Sequence, residues 1–567
     1  MYTYIKHSLI LTLVLGLLVS CSESYLDEVP LDQFSPENVL ENEAGYEAAV
    51  ISIYQAAREE HLIASNNFEY MTVGTDLSRW GRYDSRGLKD YTLLNSSYGA
   101  AAIYWDWAYE QMIVRSNLVL EDIDNVTFSS DSRDNIKGQA LFFRAYTYNF
   151  LINIYGGVPI VDSRLTEPKF DFVRASRLEV LSFIVADLEE AVQLLPIEVE
   201  DGRVSRAAAY HLLSEIYISL GLETGDGSYY DDAIDAASMI IDKQVGDYEL
   251  MTSRFGPASD QPGDVISDLH AWGQINRSSG NKEVIFAWQM ESFAIGGGDG
   301  NNWPRYWAPE YDKIVSPNGF GNSAADSLIR GIGVNSPTNF VKYDMWALDW
   351  NDMRNSDHNI RRTFYYNNPN DTEYFGQPIK TGRGTDGKLY ILENDGVTFT
   401  GNDLDTLRQY YPWIRKIDGL PFEDNVSNGR SSKDIARMRV AETYLLRAEA
   451  YFRKGEMTLA ANDINTIRGR ANAVLIAPGD VTEDFILDER ARELLVEEPR
   501  VRTLIRMDRL VDRVRTYNSA PDTDGGVSSG NTIQDHNRLW PIPQHVIDAN
   551  TQGEFKQNPG YPGASEN

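Results

Sequence analysis

What most restricts the fold of this chain is a succession of amphipathic helices with small residues at their joints. Ser176 is followed three residues on by Glu179, the spacing at which a hydroxyl and a carboxylate satisfy the free N–H groups of a helix start. Leu181, Ile184, Leu188, Ala191 and Leu195 then fall at steps of three and four, forming one apolar face, and Pro196 stops the helix. The same reasoning predicts helices over residues 35–60, 103–121, 136–155, 205–220 and 231–242. A second cluster covers 436–454, 457–473, 485–498 and 500–514. Phe142, Phe143, Tyr146, Tyr148 and Tyr155 keep helical spacing and read as core.

These helices resemble one another weakly. Arg144-Ala145, Arg206-Ala207 and Arg447-Ala448 each open a stretch rich in Ala, Leu and Tyr. Tyr217 stands four before Gly221 and Tyr451 four before Gly455, and a second Ala-rich helix follows each glycine. Helix, small-residue turn, helix is the unit of a tetratricopeptide-like array. Generic helical packing accounts for these residues equally well. Between the clusters, residues 245–429 are rich in Gly, Asn, Asp, Pro and aromatics, with a candidate short strand at 281–288 and a loop at 295–302. Loops this long are usually functional or disordered, and the aromatic content argues against disorder.

At the amino end, Lys6 and His7 precede an apolar run over residues 9–19. A bilayer span needs about 20 apolar residues, so this run has the length of a cleaved signal peptide. Leu18-Val19-Ser20-Cys21 closes it in the manner of a bacterial lipobox, where cleavage precedes the cysteine and the thiol is acylated. Cys21 is the only cysteine in 567 residues, which removes any intramolecular disulfide. Formal charge is −32, from 52 basic and 84 acidic residues, a field that repels nucleic acid.

Catalytic patterns are missing from the sequence. There are seven histidines, none four from another, and no H-E-x-x-H, Walker or G-x-S-x-G arrangement. Gly382-Arg383-Gly384 reads as a turn, and Asp522-x-Asp524-Gly525 lacks the later ligands of a calcium loop. No metal or cofactor is expected. The positive signal is aromatic, since Trp and Tyr supply apolar area with a polar handle beside Asn, Asp and Arg partners. One loop carries Phe68, Tyr70, Asp76, Arg79, Trp80, Arg82, Tyr83 and Asp84. The other carries Asn301, Asn302, Trp303, Arg305, Tyr306, Trp307 and Tyr311. Trp303 and Trp307 are the first choices for ligand contact, with Tyr306, Asn302, Arg305, Trp80, Tyr83 and Arg79 beside them.

Six segments carry a family likeness: residues 21–30, 138–161, 173–196, 202–221, 441–471 and 539–561, with 486–506 alongside. On these the chain resembles the SusD/RagB family of nutrient-binding outer-membrane lipoproteins. Around residues 497–506 that family usually has Glu-Gly, then Arg and an aromatic, then Asp-Leu. Here Glu498, Val501 and Thr503 take the Gly, aromatic and Asp positions, with Pro499 between. The resemblance implies a mainly α fold, with tetratricopeptide-like helix pairs forming a superhelical scaffold, a large irregular loop-rich region and little strand. It divides the chain into a signal peptide (1–20), an N-terminal helical region (21–244), an irregular ligand-facing region (245–429) and a C-terminal helical region (430–567). It also implies a non-enzymatic, surface-facing lipoprotein of the outer membrane, anchored through Cys21. The expected ligand is a polysaccharide or oligosaccharide, or alternatively a peptide, passed to a SusC-like TonB-dependent transporter. A lipid-anchored glycoside hydrolase is the remaining alternative.

Overall fold

The computed structural model describes residues 40–60, 72–82, 87–291, 300–323, 329–419, 429–519 and 527–564. The signal segment 1–20, Cys21, Phe68, Tyr70, Tyr83, Asp84 and the Asp522-x-Asp524-Gly525 stretch lie outside these residues.

The helices are α1 (Glu43–Arg58), α2 (Gly99–Asp106), α3 (Val114–Asp122), α4 (Ser130–Tyr155), α5 (Arg177–Leu194), α6 (Arg206–Thr224) and α7 (Ser228–Ile241). After the loop-rich stretch come α8 (Val440–Arg453), α9 (Met457–Arg470), α10 (Glu483–Glu493), α11 (Arg500–Arg506) and α12 (Leu510–Tyr517). A π-helical stretch, Trp107–Ile113, joins α2 to α3. Helices α4 to α9 stack in order, each on the next, and α7 packs directly on α8 although nearly 200 residues separate them in sequence. The array therefore continues across the central excursion.

The recurring Arg-Ala pairs explain two of these contacts. Arg144 of α4 grips Asp187 of α5 with two hydrogen bonds, at 2.8 and 2.7 Å. Arg447 of α8 grips Asp463 of α9 in the same way, at 2.8 Å each. A fork matched to a carboxylate fixes orientation as well as distance. Arg206 instead donates to the Leu195 carbonyl at 3.0 Å. Gly221 is not the turn expected of it. It lies inside α6, where a Cβ would meet the Tyr230 ring at 2.4 Å, and Gly225, left-handed at φ 71°, makes the turn. Gly455 turns at φ 79°, as its spacing predicts.

The α5 capping box forms as expected: Ser176 Oγ accepts from the Glu179 N–H at 3.2 Å, and Glu179 Oε2 accepts from the Ser176 N–H at 2.7 Å. Ser176→Ala is expected to cost about 1 kcal/mol, measurable by urea unfolding. Other expectations need correction. Residues 436–439, expected to open the helix over 436–454, are not helical: β9 (Ile435–Arg439) pairs antiparallel with β2 (Val284–Trp288), and burial of both strands overrides helical propensity. The helix expected over 500–514 breaks at Asp508, which adopts φ 53°. Gly382 and Arg383 lie in β5 (Thr381–Arg383), which forms a three-stranded sheet with β6 (Leu389–Leu392) and β7 (Phe399–Leu404); Gly384 begins the hairpin turn.

A buried ionic network ties the helical array to the loop-rich layer. Glu493, at the end of α10, accepts from Arg470 at 2.5 Å, Arg439 at 3.1 Å and Arg354 at 3.2 Å. Glu283 accepts from Arg470 at 2.9 Å and also pairs with Arg439. Glu489 holds Arg354 and Arg468 at 2.8 Å and Arg492 at 2.9 Å. The departures from the family pattern sit here as well. Glu498 accepts from Arg490 at 2.5 Å and from Thr503 at 2.9 Å, so two of the substituted positions bond to each other. The helical scaffold is legible locally, whereas this network is assembled only in three dimensions.

Candidate functional site

The structure brings the two aromatic loops of the sequence together. β1 (Ser78–Trp80) pairs antiparallel with β3 (Asn335–Pro337), setting Trp80 opposite Asn335. The Val334 N–H donates to the Tyr306 carbonyl at 3.0 Å, and Asn301 exchanges backbone hydrogen bonds with Ser431. Segments 78–82, 301–307, 332–337 and 429–431 thus converge.

Their rings, however, face inward. Trp303 is 2% exposed, Trp307 0% and Trp80 1%, and Tyr306 and Asn302 are also buried. Trp303 and Trp307 occupy a one-turn helix (Trp303–Trp307) and join the main core, as does Trp80. Spacing of four places both indoles on one helix face, and that face is the buried one. As described, these rings form the floor under the surface and offer no face for stacking. Arg79 and Arg305 are half-buried above them.

The outward aromatics come from elsewhere in the central stretch. Trp350 is 51% exposed and Tyr343 53%. The Arg362 guanidinium carbon stands 4.9 Å from the Trp350 ring centroid, and Arg362 Nη2 donates to the Lys342 carbonyl at 3.1 Å. Arg362 Nε and Nη1 are buried and find no hydrogen-bond partner among the described residues, and burial lowers the pKa of this guanidinium. The segment is pinned from below: Trp346 Nε1 donates to the Val341 carbonyl at 2.9 Å, and Asn355 Nδ2 to the Trp350 carbonyl at 2.8 Å. Trp346 and Trp350 repeat the four-residue spacing of Trp303 and Trp307. Only the short turn Asp344–Trp346, which ends before Trp350, turns the second ring outward.

Titratable groups in this region serve structure. Burial raises the Asp434 carboxyl to about 6, yet its oxygens accept from the Met290 N–H and Asn276, both at 2.8 Å. Burial, with Arg79 nearby, depresses Lys342 to about 7. Among the described residues no group of three His, Cys, Asp or Glu is placed to hold a metal ion. No helix there is long and apolar enough to cross a membrane.

A stacked helical array that carries a loop-rich layer with outward aromatics is the architecture of a ligand-binding protein. The chain belongs to the SusD family: residues 282–561 match the family model described as "SusD family", and residues 24–218 match one described as "Starch-binding associating with outer membrane". It is 24% identical over 505 residues to the starch-binding protein SusD of Bacteroides thetaiotaomicron, covering 87% of this chain and 85% of that one. A SusD homolog from the same organism superposes with a TM-score of 0.70 at 19% identity, over 93% of this chain and 98% of that one. Surface glycan-binding protein A of Bacteroides thetaiotaomicron, solved with laminarihexaose, gives 0.63 at 21% identity, over 90% of this chain and 98% of that one. These likenesses bear out the mainly helical, tetratricopeptide-like fold, and with family membership the chain is a binding protein and not an enzyme.

Proposed function

We propose that this protein captures a polysaccharide or oligosaccharide at the outer membrane and hands it to a SusC-like TonB-dependent transporter, while acyl chains on Cys21 hold it at the outer surface. The observation that carries the reading is the half-exposed Trp350 backed by Arg362, with Tyr343 close in sequence. Sugar rings present C–H faces to an indole, and the Arg362 guanidinium packed 4.9 Å from the Trp350 ring centroid holds that indole in place. Membership of a family whose relatives include starch- and laminarihexaose-binding proteins supports the same ligand class. Handing on requires release, so affinity per sugar segment is modest and avidity comes from polymer length.

Calorimetry against polysaccharide and peptide panels tests the ligand class. Trp350→Ala is expected to weaken binding of the responding glycan about tenfold or more, equivalent to about 1.4 kcal/mol. Unchanged affinity in that variant removes the platform from the reading. Saturable peptide binding without any glycan response replaces the ligand class.

A further inference from the structure

A separate cleft of about 330 Å³ opens beside Trp272, whose ring is 42% exposed. Three segments build its walls, and side chains lock them together. Asp264 caps the short helix Val265–Leu269 by accepting from the Ser267 N–H at 2.9 Å, and also accepts from Asn359 at 3.0 Å and Ser356 at 2.7 Å. The Asn359 carbonyl in turn accepts from the Arg415 N–H at 2.8 Å. The cleft is therefore preformed, which lowers the ordering cost of binding.

Its charges are internally balanced. Arg254 is clasped by Asp268 at 2.5 and 2.8 Å, and Arg415 Nε donates to Asp418 at 3.0 Å. His270, behind the cleft, has its pKa pushed far down by burial and by Lys416, Arg439, Lys433 and Arg470, and so is uncharged near neutral pH. An indole face beside neutralised guanidinium–carboxylate pairs and the carboxamides of Gln261 and Asn359 suits an uncharged polyhydroxylated ring.

Resting on the glycan-capture reading above, we propose that this cleft is a second subsite, taking one neutral pyranose unit at a chain end or branch. Residues 350–362 connect it to the platform. Trp350 and Arg362, the two ends of that segment, meet with the guanidinium carbon 4.9 Å from the ring centroid, and His358 and Asn359 within it line the cleft.

The test uses the full mature chain and calorimetry with whichever polysaccharide binds, together with its fragments of one to six units. Trp272→Ala is expected to weaken the shortest fragments at least tenfold and the polymer much less, whereas Trp272→Phe retains most of the affinity because a ring face remains. Trp350→Ala is expected to do the reverse. Equal affinity of wild type and Trp272→Ala for every fragment, with unfolding temperature unchanged, overturns the subsite and leaves glycan capture intact. A wild-type chain that binds no glycan overturns both.

Discussion

Glu493→Gln is expected to lower the unfolding free energy by about 3–5 kcal/mol, the range found when one partner of a buried ion pair is removed. The carboxylate is 2% exposed and is shared by Arg354, Arg439 and Arg470. Those three guanidiniums come from the loop-rich layer, from β9 and from α9. Glutamine keeps the shape and removes the charge, so the cations around it lose their common partner in a medium that screens poorly. Urea unfolding followed by far-UV circular dichroism measures the loss. A change below about 1 kcal/mol would mean that the pair behaves like a solvated surface bridge. Acid provides an independent readout. Burial pushes the Glu489 carboxyl up, but Arg354, Arg492 and Arg468 outweigh it and hold it at about 2, below the ordinary 4.5. The unfolded chain then binds more protons than the folded one as pH falls between these values. The stabilisation is complete above about pH 4.5 and is lost as the pH drops toward about 2, so unfolding should steepen across that window.

Cys21→Ser should move the chain out of the membrane fraction altogether. Each buried acyl CH₂ contributes about 0.8 kcal/mol, and a single chain gives only marginal attachment, so the anchor needs more than one. Among the described residues no helix can substitute by spanning the bilayer. Serine keeps the size of the side chain and removes the acyl acceptor. Fractionating cells that express both forms, with mass spectrometry of the mature amino terminus, reads the result. A serine variant that still pellets with the envelope, or a wild-type Cys21 without lipid, would refute the tether.

The helical scaffold was legible because helices are written in short-range periodicity. The Ser176–Glu179 box, the apolar face ending at Leu195 and the turn at Gly455 each depend on residues within a few positions of one another. Where a distant strand or ion pair intervened, local reading failed. Residues 436–439, expected to be helical, belong to β9 because β2 lies alongside, and the helix expected over 500–514 broke at Asp508. The resemblance to the family located the chain correctly and even marked residues 497–506 as unusual. It could not reveal that Glu498 and Thr503 bond to each other in a buried network.

The candidate site divides along the same line. Composition and periodicity by themselves determined that a loop-rich, aromatic-rich stretch lies between two clusters of amphipathic helices, since periodicity and turn chemistry are local properties of the chain. Which rings face outward was decided only by the tertiary structure. Trp303–Trp307 and Trp346–Trp350 share the same spacing, yet β1–β3 pairing and core packing bury the first pair, while Trp350 alone of the second emerges beside Arg362. Exposure is a relation between segments far apart in sequence, and a four-residue interval carries no information about which side the rest of the molecule will cover.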